Sequence, residues 1–268
     1  MRDITFGQYY PRDSVVHRLD PRTKLLISLV YIVAVFLCRT YWAFLASFLF
    51  LVISILVSRI PVLSILKTVR AVLFILLITV IINLFFYGDG EPIFSWWKIK
   101  VTWEGARFAS FMAMRLVFLV VGTSLVSLTT TPMSLTDGME SLMKPLKLVR
   151  FPVHDVAIIM SIALRFIPTL MDEINKIMMA QKARGADFDS GNLIKRVKAL
   201  LPILIPLFVS TFRIADELAL ALDARCYNAT PNRTKMKVLS FNARDILALL
   251  FSLAFLAVII LLRIGIIG

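Results

Sequence analysis

The chain has 268 residues, of which 59% are hydrophobic and 18% are charged, and its formal net charge is +13. Long apolar runs at this composition exclude an ordinary soluble domain and predict a membrane protein. The basic residues flank the apolar runs, as the positive-inside rule requires of a cytoplasmic face, so we expect a lipid bilayer and no nucleic acid as their partner.

The N-terminal region, residues 1–128, is predicted to hold a cytoplasmic segment and four transmembrane helices. Asp20 and Pro21 have the residue types of a helix N-cap and a first-turn proline, so a helix should begin near Arg22. Ser58–Arg70 carries three basic residues and no acid, which assigns it to the cytoplasm together with the N-terminus. The four predicted spans are Leu25–Cys38, Trp42–Val57, Ala71–Tyr87 and Ala106–Leu128, and the loop Gly88–Pro92 is expected to be external.

One charge falls inside the fourth predicted span. Arg115 lies about three turns into that span, where a charge costs several kcal/mol unless it reaches the interface or finds a partner. Asn83 in the third span is the obvious polar candidate for that partner. One cation without a nearby acid makes a poor ion pathway, so a structural role that tethers neighbouring helices is favoured over a transport site.

Residues 129–244 are predicted to form a cytoplasmic module of amphipathic helices, and residues 245–268 hold a fifth span, Ile246–Leu262. Pro168 should kink the first long helix of the module, and Pro202 and Pro206 should interrupt the second. The cysteines, Cys38 and Cys226, fall on opposite sides of the membrane in this topology and show no metal-ligand spacing, so neither a disulfide nor a metal or cofactor site is expected.

Two look-alike endings follow apolar patterns with helical spacing in the module. Their sequences are Gln181-Lys182-Ala183-Arg184-Gly185 and Leu222-Asp223-Ala224-Arg225-Cys226-Tyr227. A structural interpretation exists for the first, because Gly185 suits a left-handed cap and Arg184 complements the helix dipole. A functional interpretation explains both: paired small-Arg-small endings present guanidinium forks to carboxylate-lined pockets of a partner.

These paired endings, together with the opening string from Gly7 to Lys24 (GQYYPRDSVVHRLDPRTK), resemble the transmembrane T component of energy-coupling factor (ECF) transporters over nearly the whole chain. The resemblance implies an all-α polytopic fold of about five transmembrane helices in a bacterial or archaeal cell membrane, with a cytoplasmic N-terminus. It implies two ABC-type ATPase subunits and a membrane-embedded S component for a vitamin or transition metal as partners. The ATPase-contacting residues would be Ala183, Arg184, Gly185, Ala224, Arg225 and Cys226. Cys226 replaces a glycine of the motif, which weakens the capping argument there.

Two other classes of protein fit the sequence less well. A self-contained secondary transporter needs polar groups near the bilayer midplane in matching halves, and Arg115 is the one candidate found. An integral membrane transferase needs clustered acids or histidines, whereas His17 and His154 are isolated. No phosphate-binding Gly-rich loop ending in Gly-Lys-Ser or Gly-Lys-Thr occurs, so the chain is not expected to be an enzyme, and ATP hydrolysis is expected in partner subunits.

Overall fold

A computed structural model describes residues 9–86, 92–96, 99–145, 153–186, 193–227 and 240–264. The chain divides into two compact units, a first unit of Met1–Ala157 with Leu239–Gly268 and a second unit of Ile158–Val238. The helices of the described part are α1 Pro21–Leu37, α2 Tyr41–Ser58, α3 Val62–Phe86, α4 Trp103–Thr129, α5 Pro132–Leu142, α6 Val153–Ala183, α7 Leu193–Ala224 and α8 Ala243–Ile264. The predicted all-α class is confirmed, with one addition: a short antiparallel hairpin of β1 Pro92–Trp96 and β2 Ile99–Thr102 precedes α4.

Four helices of the described part, α2, α3, α4 and α8, are long and apolar enough to cross a membrane. The remaining predicted span corresponds to α1, which has 17 residues and so lies at the short end of the range for a crossing. The count is therefore close to the five predicted from the sequence.

The helix α1 is the centre of the first unit, because α2, α4, α5 and α8 all pack on it. Its start follows the predicted signals: the Asp20 carboxylate accepts the Arg22 N–H at 3.0 Å, and Pro21 occupies the first turn. In the middle of α1 the buried Tyr31 stacks on Phe50 and Phe255, and its hydroxyl donates to a backbone carbonyl of α4. These aromatic contacts join three helices in one apolar core.

The ends of the helices fix their relative directions. Near the start of α1 the Lys24 Nζ donates to the Thr129 carbonyl at the end of α4, so α1 and α4 are antiparallel. The Asp20 N–H donates to Asp245 in the first turn of α8, so α1 and α8 are parallel. We call the end of the first unit where α1 and α8 begin and α4 ends its polar end.

The third helix begins earlier than predicted. The sequence assigned Ser58–Arg70 to a loop, but α3 already starts at Val62, and only Arg59 to Pro61 form the connection. Lys67 and Arg70 therefore lie on a helix, whose first turns are held in place because Ile65 is buried in the core. Most of the apolar side chains of α3 are exposed, as expected of a helix that faces lipid.

In the second unit, α7 is one helix from Leu193 to Ala224, although it contains Pro202 and Pro206. The prediction that these prolines interrupt the helix was wrong. The physical reason is a hydrogen bond from the Gln181 side chain of α6 to the Pro202 carbonyl, which replaces the backbone bond that Pro206 cannot donate. Likewise α6 runs from Val153 to Ala183 with Pro168 inside.

The predicted loop around Gly88 lies largely outside the described residues, as do the residues between α7 and α8 up to 239.

Candidate functional site

Two hydrogen bonds between described side chains and α6 or α7 atoms join the two helices. The Gln181 side chain donates from Nε2 to the Pro202 carbonyl at 3.3 Å, and the Ser210 hydroxyl donates to the Glu173 carboxylate at 3.0 Å. Proline has no N–H, so Pro206 leaves the Pro202 carbonyl without its usual partner four residues on. Gln181 supplies that missing donor, which explains how α7 continues through Pro206.

The same two contacts show that α6 and α7 run in opposite directions where they meet. Residue 173 lies across from 210 and residue 181 across from 202, so the ends of the two helices point away from each other. At a rise of about 1.5 Å per residue, Arg184 and Arg225 lie at most about 40 Å apart along the pair. The two Ala-Arg endings are therefore presented at opposite extremes of one antiparallel pair.

Both helix ends have the same backbone geometry. At the end of α6, Gly185 has φ 86°, the Ala186 N–H donates to Gln181 O at 3.0 Å, and the Gly185 N–H donates to Lys182 O at 3.0 Å. These are the two bonds of a Schellman cap. At the end of α7 the same pattern recurs with the equivalent donors Tyr227 and Cys226, both at 2.9 Å. Arg184 and Arg225 thus occupy equivalent cap positions, which the sequence similarity of the two endings had indicated.

The six predicted interface residues are all exposed: Ala183, Arg184, Gly185, Ala224, Arg225 and Cys226. Within the described residues, neither guanidinium group of Arg184 or Arg225 makes a hydrogen bond or an ion pair. Asp223, two residues before Arg225, does not pair with it. The helix ends therefore combine ordered backbones with guanidinium forks that remain available to another molecule.

The cap of α7 carries strain that the cap of α6 does not. Cys226 adopts φ 51°, a left-handed conformation that costs a non-glycine residue about 1–2 kcal/mol. We expect Cys226→Gly to stabilise the last turn of α7 by about 1 kcal/mol, and Gly185→Ala to destabilise the last turn of α6 by a similar amount. Hydrogen exchange of the amides in residues 218–227 and 177–186 measures both. An unchanged exchange rate at the α7 end of the Cys226→Gly protein would show that its cap is unstrained.

The second unit also exposes an apolar face in the middle of α7. Leu204, Phe208 and Phe212 are spaced four residues apart on one face of α7, and all three are exposed, with Phe208 66% exposed. The apolar residues with helical spacing on α6 are half-buried: Ile162, Phe166, Leu170, Ile174 and Ile177. Exposed apolar side chains at this density mark an interaction surface, because leaving them in water is unfavourable.

In the first unit, Arg115 is held by a backbone group. Its Nη2 donates to the Cys38 carbonyl at the end of α1, at 2.9 Å, and its guanidinium lies over the Phe36 ring. Asn83, the candidate from the sequence, instead donates to Thr79 in its own helix. The structure gives the partner role to Cys38, since a carbonyl just past the last turn of α1 lacks an intrahelical partner. This geometry ties α4 to α1 and favours a tether over an ion pathway.

A substitution can distinguish these two roles. Arg115→Met keeps an unbranched, flexible side chain and removes the charge, and the buried Arg115 Nε has no partner to lose. We expect a change in stability of only about 1–2 kcal/mol and retained substrate uptake. Uptake and thermal inactivation of the purified protein check this, with Arg107→Met, an exposed arginine of the same helix, as the control. Abolished uptake at unchanged stability would assign Arg115 a transport role.

Sequence reasoning missed a buried polar cluster at the polar end. The Lys24 ammonium is buried and donates to the carbonyls of His17 and Thr129 and to the Thr130 hydroxyl, at 3.0–3.2 Å. Its positive charge is opposed by two buried carboxylates, Asp20 and Asp245. Through these bonds Lys24 fastens the N-terminal segment to α1 and α4.

Asp245 completes the cluster from the other end of the chain. It is 1% exposed, and its two carboxylate oxygens accept the N–H groups of Asp20 at 2.8 Å and Asn242 at 2.9 Å. The bond to Asn242 is half of a capping box, in which an acid at the third helical position reaches back to the N-cap residue. The sequence Asn242-Ala243-Arg244-Asp245 before the last apolar run carried that signal.

His17 belongs to the same segment. Its ring bonds to the Ser14 hydroxyl and the Tyr10 carbonyl, and burial lowers the pKa of the imidazole. The ring is therefore neutral near physiological pH, which matches a structural role in ordering residues 10–17.

The fold and these sites define a class of protein: a polytopic α-helical membrane protein that presents two matching arginine-tipped helices. The chain matches the cobalt transport protein family (CbiQ) over residues 12–236. It is 51% identical to the "Energy-coupling factor transporter transmembrane protein EcfT" of Clostridium kluyveri over 98% of both chains, and 48% identical to the protein of that name from Ruminiclostridium cellulolyticum over 98% of both. The protein of that name from Lactococcus lactis is 41% identical, again over 98% of both chains. The chain belongs to this family of transporter components, so the predicted resemblance is confirmed.

Proposed function

We propose that this chain is the transmembrane coupling subunit of an ECF-type importer, in which two ABC-type ATPase subunits drive a membrane-embedded S component that captures the substrate. The observation that carries the proposal is the matched pair of ordered helix ends with unpaired arginines, at opposite extremes of the α6–α7 pair. Two separate, equivalent contact points suit two copies of similar partners. The names of the relatives, which describe an energy-coupling transporter, agree with this role.

The proposed coupling is mechanical. Each ATPase subunit would receive one arginine in an acidic groove, so that closure of the ATPase pair displaces both helix ends. Because the α6–α7 pair is held by the Gln181–Pro202 and Ser210–Glu173 hydrogen bonds, movement at one end is transmitted to the other helix. The exposed apolar face of α7 supplies further contact area for a membrane partner.

We further propose that the substrate is a vitamin or a transition metal ion bound by the S component, and that the polar end lies in the cytoplasm of a bacterial or archaeal cell. Orientation is supported by the basic residues near that end, including Arg12, Arg18, Arg59 and Arg244. ATP hydrolysis would take place in the partner subunits.

Purification of the tagged chain from its native membrane, followed by quantitative mass spectrometry, tests the proposal. We expect two ATPase subunits and an S component to co-purify. Sidedness is tested in the same membranes with Arg39→Cys and Lys182→Cys in a Cys226→Ser background, since Cys38 is fully buried and should not react. A chain that purifies without ATPases from membranes active in uptake, or that labels at both positions from one side, would contradict the proposal.

A further inference from the structure

A cavity of about 360 Å³ lies inside the first unit at its polar end. The second half of α2 and the first turns of α8 form its walls, with Ile53, Val57, Leu247 and Ala248, and α1 and α4 form its floor. Towards the middle of the bundle, Phe50 stacks on Phe251 and Phe255 with ring centroids 5.4 and 4.5 Å apart. The cleft between α2 and α8 is therefore closed at mid-depth and widens towards the polar end.

Most residues that line this cavity are apolar, and the serine hydroxyls and the Lys24 ammonium among them already have hydrogen-bond partners within the protein. The hydroxyls of Ser28, Ser54 and Ser58 each donate to a carbonyl of their own helix, at 2.8–2.9 Å. The Lys24 ammonium is occupied by its three oxygen acceptors. A polar solute would lose its hydrogen bonds to water here without replacement, whereas a hydrocarbon chain would lose nothing.

The mouth of the cavity is basic. A second, more open pocket of about 640 Å³ shares Val15, Val57 and Arg244 with the cavity and adds Arg18 and Arg59. The Arg59 turn is fixed, because Arg59 adopts a left-handed conformation and its carbonyl accepts a bond from Arg12 at 3.1 Å.

The acid at this mouth is Asp13, which lies 3.5 Å from Arg18 in an exposed ion pair. Among the described residues that line this pocket there are three arginines and one acid, so its net charge is positive beside the hydrocarbon cavity. Guanidinium forks match the oxygens of a phosphate group in geometry as well as charge.

We propose that the cavity and its basic mouth form one binding site for an anionic glycerophospholipid of the bilayer. One acyl chain lies between α2 and α8, and the phosphate is held by Arg18, Arg59 and Arg244. A bilayer lipid fits because the mouth lies at the ends of membrane-crossing helices, at the depth where headgroups reside. The bound lipid fills the gap between α2 and α8 and holds the N-terminal segment against both helices.

The test uses the transporter complex purified in detergent, with retained lipids extracted and quantified by mass spectrometry. We expect phosphatidylglycerol to be retained over phosphatidylcholine by about tenfold or more, and to raise the inactivation temperature when added back. Arg18→Gln with Arg244→Gln should abolish that preference. Ala248→Phe fills the cavity and should lower retention of either lipid while the arginines remain.

The matched control is Arg39→Gln, an exposed arginine at the opposite end of the bundle, which should leave lipid retention unchanged. Equal retention of the two lipids by the unsubstituted protein would overturn the proposal, as would a loss of preference with Arg39→Gln as large as with the paired substitution. Protection by inorganic phosphate equal to that by phosphatidylglycerol would also overturn it, because the cavity would then have no role. The lipid comparison on the unsubstituted protein decides the question even if Ala248→Phe fails to fold.

Discussion

Replacing Arg184 and Arg225 together by alanine is expected to abolish substrate uptake while the chain itself remains folded. Both side chains are exposed and form no hydrogen bond or ion pair within the described residues, so their removal costs the isolated chain little. In the proposed complex each truncation leaves a carboxylate of an ATPase subunit buried without its partner, which costs about 2–5 kcal/mol per site. Each single substitution should weaken ATPase co-purification, and the double substitution should eliminate it.

The design of this experiment separates coupling from charge and from folding. Arg184→Lys and Arg225→Lys keep the charge and lose the planar fork, so they should restore assembly only in part. Arg213→Ala removes an exposed arginine from the middle of α7 and serves as the matched control. Expression level, ATPase co-purification and uptake are measured for every variant. A double variant that assembles and transports at the parental rate would reduce the two endings to helix caps.

The arginine-tipped helix ends were predictable because their signals are local. A glycine or other small residue after an arginine, at the end of a helical apolar pattern, specifies a left-handed cap within six residues of chain. The structure confirms the left-handed conformation at Gly185 and extends it to Cys226, where the sequence argument was weaker. Local patterns likewise located α1, α2, α4 and α8 to within a few residues.

The features that the sequence did not reveal depend on groups far apart in the chain. Continuity of α7 through Pro206 requires a donor from Gln181 on another helix. The partner of Arg115 is the Cys38 backbone carbonyl, and a backbone group cannot be identified from a pattern of residue types. This carbonyl is available because α1 ends at Leu37 beside α4. In both cases the decisive group satisfies a backbone or side-chain atom left unpaired at an irregular point of a helix.

The buried cluster of Lys24, Asp20 and Asp245 also joins groups far apart in the chain, and its removal is expected to have a large effect on stability. Asp245→Ala should destabilise the protein by about 2–5 kcal/mol, because it leaves two backbone N–H groups without acceptors and Lys24 with less compensation for its buried charge. One of the two lost bonds joins α8 to Asp20 at the start of α1, 225 positions away in the chain. A lower temperature of thermal inactivation of the purified transporter measures this loss.

The graded variants identify which interaction matters. Asp245→Asn keeps the shape of the side chain and one acceptor oxygen, so it should destabilise the protein less than Asp245→Ala. Its inactivation temperature should still lie clearly below that of the parent. The amide has an NH2 group in place of the second oxygen, and it carries no charge to oppose Lys24. Asp172→Asn, an exposed carboxylate of α6, is the control and should have little effect. If Asp245→Ala and Asp172→Asn lowered the inactivation temperature equally, Asp245 would contribute no more than a surface charge. Because Asp20 connects the N-terminal segment to this carboxylate, we also expect Asp245→Ala to speed hydrogen exchange at residues 17–24, a response that a purely local change at the start of α8 would not produce.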